Sequence, residues 1–379
     1  MKLQTFTLIA TVLADTAEAT LRYHMYFDQW HVANLPDKAT TAGVTHVTTA
    51  FAESALFNWG GQYTPFMPLD QVRGLFDDDI KVCMAVGGWG DNAGFTAALA
   101  TKQSRQTFAT NLANELDRLG YNCVDIDYEY PGGNGADWKQ VPNTAKAFEI
   151  EAFPLLLEEI KASIAGKELA IAVPGRQVDM IAFTLEQTPK INQAVDHVNV
   201  MTYDLMNRRM NHTRHHTGIA GSMLAIDTYI ARGMDAEKMS LGFAFYAKYF
   251  TTAEGVECTT PIGCPTEVLE AADGTDTGMS GAVTFEEANY QVAWGVPPSF
   301  TVAMDNGMTD EEHGGQWYWD AEARLFWTWD TPALIGRKFT EIVESRALGG
   351  VFAWSLAQDS HDWSHLKAMQ EGVRRLSRL

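Results

Sequence analysis

The chain has 379 residues, 46% hydrophobic and 11% aromatic, enough for a large packed core in one α/β domain or two smaller ones. Its 48 acidic residues against 28 basic ones give a formal net charge of −20. Nucleic acid and anionic membrane both need a positive footprint, so neither is expected as a partner, and a neutral polymer or small substrate fits better.

The opening MKLQTFTLIATVLADTAEAT reads as a secretory signal. Lys2 supplies a positive start, Phe6 to Ala14 a short apolar run, and Ala17-Glu18-Ala19 the small-x-small cleavage pattern. The expectation is export to the extracellular space, with residues 1–19 removed and the mature chain starting near Thr20. No later apolar run approaches the ~20 residues a membrane helix needs.

Short β-rich runs then alternate with helical ones. Strands are predicted at 21–30, 44–52, 81–88, 123–130, 168–175, 197–204, 239–250 and 349–359, most of them continuously apolar, as strands buried on both faces should be. The segment between the first two is poorly helical. Phe108, Leu112, Leu116 and Leu119 follow helical spacing and stop at Gly120. Residues 143–165 are predicted helical, with Pro154 kinking or restarting the helix. Residues 331–346 and 363–377 repeat the helical pattern, the latter through Leu366, Met369, Val373 and Leu376.

Eight strands with helical crossovers predict an α/β fold, a (β/α)8 barrel, with a doubly wound open sheet as the competitor. Residues 251–318 are too long for a βα loop and predict an inserted α+β subdomain after the seventh strand. A local bridge is expected between Cys258 and Cys264 in CTTPIGC. Cys83 and Cys123 read as buried free thiols, pairing only if their strands are neighbours in matched register. The barrel is expected to stand alone as a monomer.

The chemistry concentrates in VDIDYEYPGG. Asp125, Asp127 and Glu129 alternate with Val124, Ile126 and Tyr128, so a strand points all three acids to one face, their Cα atoms about 6.6 Å apart in order. Pro131-Gly132-Gly133 ends the strand and leaves Glu129 at the barrel mouth, where such folds keep their active sites. Crowded carboxyls push one another's pKa up, and a carboxylic acid still protonated near neutrality is what a general acid needs. A structural ion-pair network would need basic partners, and the neighbouring strand KVCMAVGG offers only Lys81, at its far end.

These segments together resemble glycoside hydrolase family 18, the chitinase family, over residues 21–379. VDIDYEYP resembles the final DxDxE portion of its signature, KVCMAVGGW its SxGG strand, MTYD (Met201, Tyr203, Asp204) its MxYD strand, and VFAW its last strand, ending in Trp354. LGFAFYAKYF resembles its seventh strand, with Tyr246 at the substrate-contacting Tyr, and the insertion falls where larger members carry an α+β domain. The resemblance implies retaining hydrolysis of β-1,4-linked N-acetylglucosamine polymers, chitin or its oligosaccharides, in which the substrate supplies the nucleophile. Glu129 would protonate the glycosidic oxygen and later activate water. Asp127 would orient the acetamido N–H, with Asp125 sharing a proton behind it. Tyr203 would bond the acetamido oxygen, Asp204 would hold the sugar, and Trp354 would floor the subsite of the distorted sugar. No metal or organic cofactor is implied.

Tyr26, Trp30, Phe51, Trp89, Tyr203, Tyr246 and Trp354 all fall near predicted strand ends, where aromatic rings can stack on sugar C–H faces; Phe51, taken alone, reads equally as core. The sequence departs from the family pattern at Asn122, at Cys123 and at Ala85, which replaces the Ser that bonds the deeper Asp, so Asp125 is expected to lack a partner. In the loop after MTYD, Arg208, Arg209, Arg214, His212, His215 and His216 form a basic patch, and Asn211-His212-Thr213 is a glycosylation acceptor pattern. The competing functions are an endo-β-N-acetylglucosaminidase acting on glycoprotein glycans and a non-catalytic chitin lectin; retention of Glu129 argues against the latter.

Overall fold

In the computed structural model, which describes residues 21–291 and 295–377, eight parallel strands close into a barrel. They are β1 (Arg22–Asp28), β2 (His46–Ala52), β3 (Lys81–Gly87), β4 (Cys123–Asp127), β5 (Glu168–Pro174), β6 (His197–Met201), β7 (Met239–Ala244) and, after an excursion, β13 (Gly350–Trp354), which returns between β7 and β1. The expected cleaved signal lies outside the described residues.

Alternation along each strand builds two layers. Tyr23, Met25 and Phe27 of β1, with Val124 and Ile126 of β4, join the core between strands and helices. Arg22, His24, Tyr26 and Asp28 alternate with them and are buried with Asp125 and Asp127. The barrel interior is therefore largely polar, which departs from the expectation of strands apolar on both faces.

The helix Lys102–Leu119 shows how local sequence sets the crossovers. Thr101 caps its first turn by accepting from Ser104 N, and Gly120 ends it in the left-handed region at φ 78°. In the next crossover the break falls earlier than predicted: one turn at Asn143–Lys146 precedes a continuous helix Glu149–Ser163 that absorbs Pro154. A proline there costs one bond to the preceding turn, which the burial of Phe153, Leu156, Leu157 and Ile160 offsets.

The predicted strand 239–250 is two strands in two sheets. Phe245 turns the chain, its N–H donating to the Trp354 carbonyl at 2.9 Å, and β8 (Tyr246–Thr251) leaves the barrel. It joins β9 (Ser280–Thr284), β10 (Met308–Asp310), β11 (Gly315–Asp320) and β12 (Leu325–Trp329) in an antiparallel sheet of order β10-β11-β12-β8-β9. No Gly or Pro marks the break, so the run reads as one strand. The sheet reaches from Tyr246 to Trp329, wider than the 251–318 span read from the sequence. Lys338, fully buried, ties it back to the barrel by donating to Asp330 Oδ2 at 2.5 Å and to Thr217 Oγ1 at 2.9 Å.

Both cysteine pairs are bonded, Cys258–Cys264 as expected and Cys83–Cys123 against expectation. Cys83 and Cys123 are register partners on adjacent strands, with Cα atoms 4.4 Å apart, which meets the condition for pairing. Asn211 of the acceptor pattern is exposed, whereas Thr213 is buried and accepts from Cys264 N at 3.0 Å. Among the described residues no helix is long and apolar enough to cross a membrane.

Candidate active site

A cavity of about 760 Å³ opens at the C-terminal ends of the barrel strands. Tyr26, Phe51, Trp89, Asp127, Glu129, Met201, Tyr203, Asp204, Tyr246 and Trp354 all line it, as do Trp30, Arg208 and Arg209. Asp125 lies behind this wall, with no exposed surface. Arg214, His215 and His216 of the basic loop do not line it: His215 bonds Asp310 at 3.0 Å, and His216 is buried behind the wall against the Tyr246 ring, 3.9 Å from Asp204 Oδ1.

The Gly87-Gly88 pair sets the wall beside the acids. Both lie at positive φ, 109° and 92°. A Cβ at Gly87 would sit 2.2 Å from the Asp127 carbonyl, and Gly88 N donates to that carbonyl at 2.8 Å. Only glycine allows the end of β3 to approach β4 this closely. Tyr128 turns outward, stacks on Phe95 and donates to Glu149 Oε2 at 2.7 Å. The same carboxylate receives Gly132 N at 2.9 Å, so buried Glu149 fixes the loop directly after Glu129.

Asp125 has not lost its partners. Tyr26 Oη donates to its Oδ2 at 2.6 Å and Asn199 Nδ2 to its Oδ1 at 3.0 Å. A base also approaches, from β1 rather than from a strand adjacent to β4. Buried Arg22 on β1 donates to Asn199 Oδ1 at 3.2 Å, and its charge draws the Asp125 pKa down. Burial outweighs these partners and raises Asp125 to about 6.

Asp127 is treated differently. Its Oδ1 is buried and has no hydrogen-bond partner among the described residues. Burial, then the charges of Glu129 and Asp125, push its carboxyl well up. Burial likewise raises Glu129 to about 8, the Tyr130 hydrogen bond opposing and the charges of Asp204 and Asp179 adding to the rise. Two neighbouring carboxyls thus share a low-dielectric pocket that favours holding a proton at pH 7.

Asp204 occupies the left-handed region at φ 53° and accepts from Tyr246 Oη at 3.0 Å and Lys248 Nζ at 2.8 Å. Burial pushes it up, but Lys248, with His216 and the two hydrogen bonds, holds it below the usual carboxylate range. The Tyr203 ring packs edge-on to Tyr246 and Phe352, and its burial keeps it a phenol. Trp354 stacks on Phe51, centroids 5.5 Å apart at 20°, which gives Phe51 a place in the cleft wall. Trp30 and Trp89 are largely exposed. Arg209 sits over the Trp89 and Trp138 rings and donates to the carbonyls of Asn134 at 2.6 Å and Gly135 at 2.8 Å.

Sequence reasoning missed Arg22, Asn199, Lys248 and Glu149. Arg22 carried a signal, since Arg22, His24, Tyr26 and Asp28 alternate like the acids of β4.

Comparison with known proteins gives the same picture. Sporulation-specific chitinase 2 of Saccharomyces cerevisiae is 23% identical over 341 residues, covering 81% of this chain and 62% of the relative. The chain spans about half to three fifths of the length of the curated relatives it matches. Catalytic domain 2 of an Ostrinia furnacalis Group II chitinase superposes with a TM-score of 0.72 at 21% identity, covering 94% of this chain and 97% of that one. A GH18 chitinase mutant from Cycas revoluta, solved with (GlcNAc)4, superposes at 0.70 with 22% identity over 93% and 99%. At these identities the structures establish a shared fold. The family pattern for glycosyl hydrolases family 18 matches residues 22–359, nearly the whole barrel with its inserted sheet, and on that match the chain belongs to this family.

Proposed function

We propose that the protein is a secreted glycosidase cleaving β-1,4 N-acetylglucosamine linkages in chitin or chitooligosaccharides, with retention, the substrate's own acetamido group serving as nucleophile. The observation that carries the reading is the pairing of Glu129, held protonated at neutral pH, with Asp127, whose buried Oδ1 has no partner among the described residues. A buried acceptor without a donor is costly, and an N–H arriving with substrate removes that cost.

In this scheme Glu129 gives its proton to the glycosidic oxygen as the bond to the anomeric carbon breaks. The acetamido oxygen forms a bond to that carbon, closing a cyclic oxazolinium ion. Asp127 accepts the acetamido N–H and balances the developing charge. Tyr203 donates to the acetamido oxygen, Asp204 holds the sugar edge, and Trp354 offers its face to the ring. Asp125, held by Tyr26 and Asn199, stays behind Asp127 as its titrating neighbour. Water then attacks the anomeric carbon and displaces the acetamido oxygen, reopening the oxazolinium ring; Glu129 takes a proton from that water, and the β-anomer is released. Chitinase names among the relatives and (GlcNAc)4 in the Cycas revoluta structure support the substrate class. Export rests on the N-terminal pattern alone.

The test is a time course on N-acetylglucosamine tetramer and pentamer beside a Glu129→Gln control, with the anomer read by proton NMR. Cleavage by the wild type alone, β-anomer first, is expected. No cleavage from acid to neutral pH would overturn the chitooligosaccharide assignment, and glycoprotein glycans would be the next substrates. An α-anomer formed first would overturn retention.

A further inference from the structure

Away from the cleft, His46, Glu168 and His197 are the first residues of β2, β5 and β6, so all three lie at the N-terminal base of the barrel. Their ligand atoms all fall within 4.8 Å of one another. His46 Nε2 lies 2.8 Å and His197 Nε2 3.8 Å from the same Glu168 Oε2. We propose that these three side chains form a binding site for a transition-metal dication, best suited to zinc, that clamps the base of the barrel and takes no part in hydrolysis.

Zinc binds imidazole nitrogen and carboxylate oxygen at about 2.0–2.2 Å in tetrahedral geometry, which places neighbouring ligand atoms about 3.3 Å apart. The two separations from Glu168 straddle that value, each within about half an ångström of it, and the two imidazole nitrogens lie within 4.8 Å of one another, so modest side-chain movements bring the three around one ion, with water as fourth ligand. Two imidazoles with a single carboxylate favour zinc or its neighbours over calcium and magnesium, which prefer oxygen. A supporting hydrogen bond is also in place: His46 Nδ1 lies 2.8 Å from Thr45 Oγ1, which orients the ring with Nε2 toward Glu168. His197 and Glu168 keep about a quarter of their side-chain surface exposed, which gives an ion a way in.

Two cations oppose the ion. Lys81 bonds Glu168 Oε1 from a half-exposed position and can swing into water, while Arg22 is buried and stays. Both should weaken binding, and Lys81 should compete with the metal for Glu168.

The test uses the full chain, stripped with chelator and titrated with zinc chloride by calorimetry, with thermal unfolding in parallel. One ion per chain and a zinc-dependent rise in Tm are expected. His197→Ala should weaken binding at least tenfold, and Lys81→Ala should tighten it several-fold. Hydrolysis should be the same with zinc or chelator. No saturable binding, binding unchanged in His197→Ala, or weaker binding in Lys81→Ala would overturn the site. The Lys81→Ala result decides the matter if His197→Ala fails to fold, because a purely structural ion-pair cluster gives no reason for tighter zinc binding.

Discussion

At the base of the barrel, Glu168 is fully engaged: His46 bonds one oxygen, Lys81 the other, and His197 stands nearby. Burial pushes its carboxyl up, yet the His46 and Lys81 bonds hold it far below the usual range. At the mouth, Asp127 and Glu129 are buried with no cation in contact among the described residues, and both are pushed up. The same barrel thus makes one partly buried carboxylate stable by partnering it and leaves buried ones reactive by withholding partners. The mouth carries a stability cost that the base avoids, as expected where substrate is meant to supply the missing contacts.

The largest effect should come from Glu129→Gln, lowering kcat by about 10²–10⁴-fold for loss of the general acid. The same change should stabilise the protein at neutral pH. A carboxyl raised from 4.5 to about 8 on folding contributes stability below pH 4.5 that is lost as pH rises toward 8. Glutamine does not titrate, so the variant should gain roughly 1–3 kcal/mol over wild type at pH 7 and nothing at pH 4. Denaturant unfolding at both values checks this, and an equal difference at both would break the contrast between mouth and base. In the wild type, kcat/KM should fall as pH rises past about 8, following Glu129; a flat profile to pH 10 would contradict the assignment.

Asp127→Ala should cost about 10²–10³-fold in kcat, as does loss of an oriented charge-stabilising group. Removing the Cys83–Cys123 bond by double Ala substitution should lower stability by roughly 2–4 kcal/mol, measured by denaturant midpoint, with activity retained at moderate temperature. Arg209→Ala should have the smallest effect. Freed of the guanidinium, Trp89 loses its fixed position, so KM should rise a few-fold with kcat nearly unchanged, read from steady-state kinetics on the pentamer. A kcat loss as large as that of Asp127→Ala would place Arg209 in the chemistry rather than in the wall.

What was legible in the sequence was local. The acid row, the Gly87-Gly88 pair and the MTYD segment each declare themselves within a few residues, and strand alternation then fixes which way they face. Asn199 reaches Asp125 across 74 positions and Arg22 reaches Asn199 across 177, contacts made only when the barrel closes. The Cys83–Cys123 bond depended on strand register, which no residue spacing discloses. The turn at Phe245 was hidden because Phe243 to Ala247 run apolar and buried straight through the break, and sheet identity is set by packing rather than by propensity.

The most direct test of substrate assistance is a parallel assay of the N-acetylglucosamine tetramer and its fully de-N-acetylated counterpart at equal concentration and pH, followed by mass spectrometry. Cleavage of the acetylated tetramer alone is predicted, because only it carries the attacking carbonyl and the N–H that Asp127 accepts. Cleavage of both at similar rates would contradict the account, since some group of the protein would then have to serve as the nucleophile or activate it.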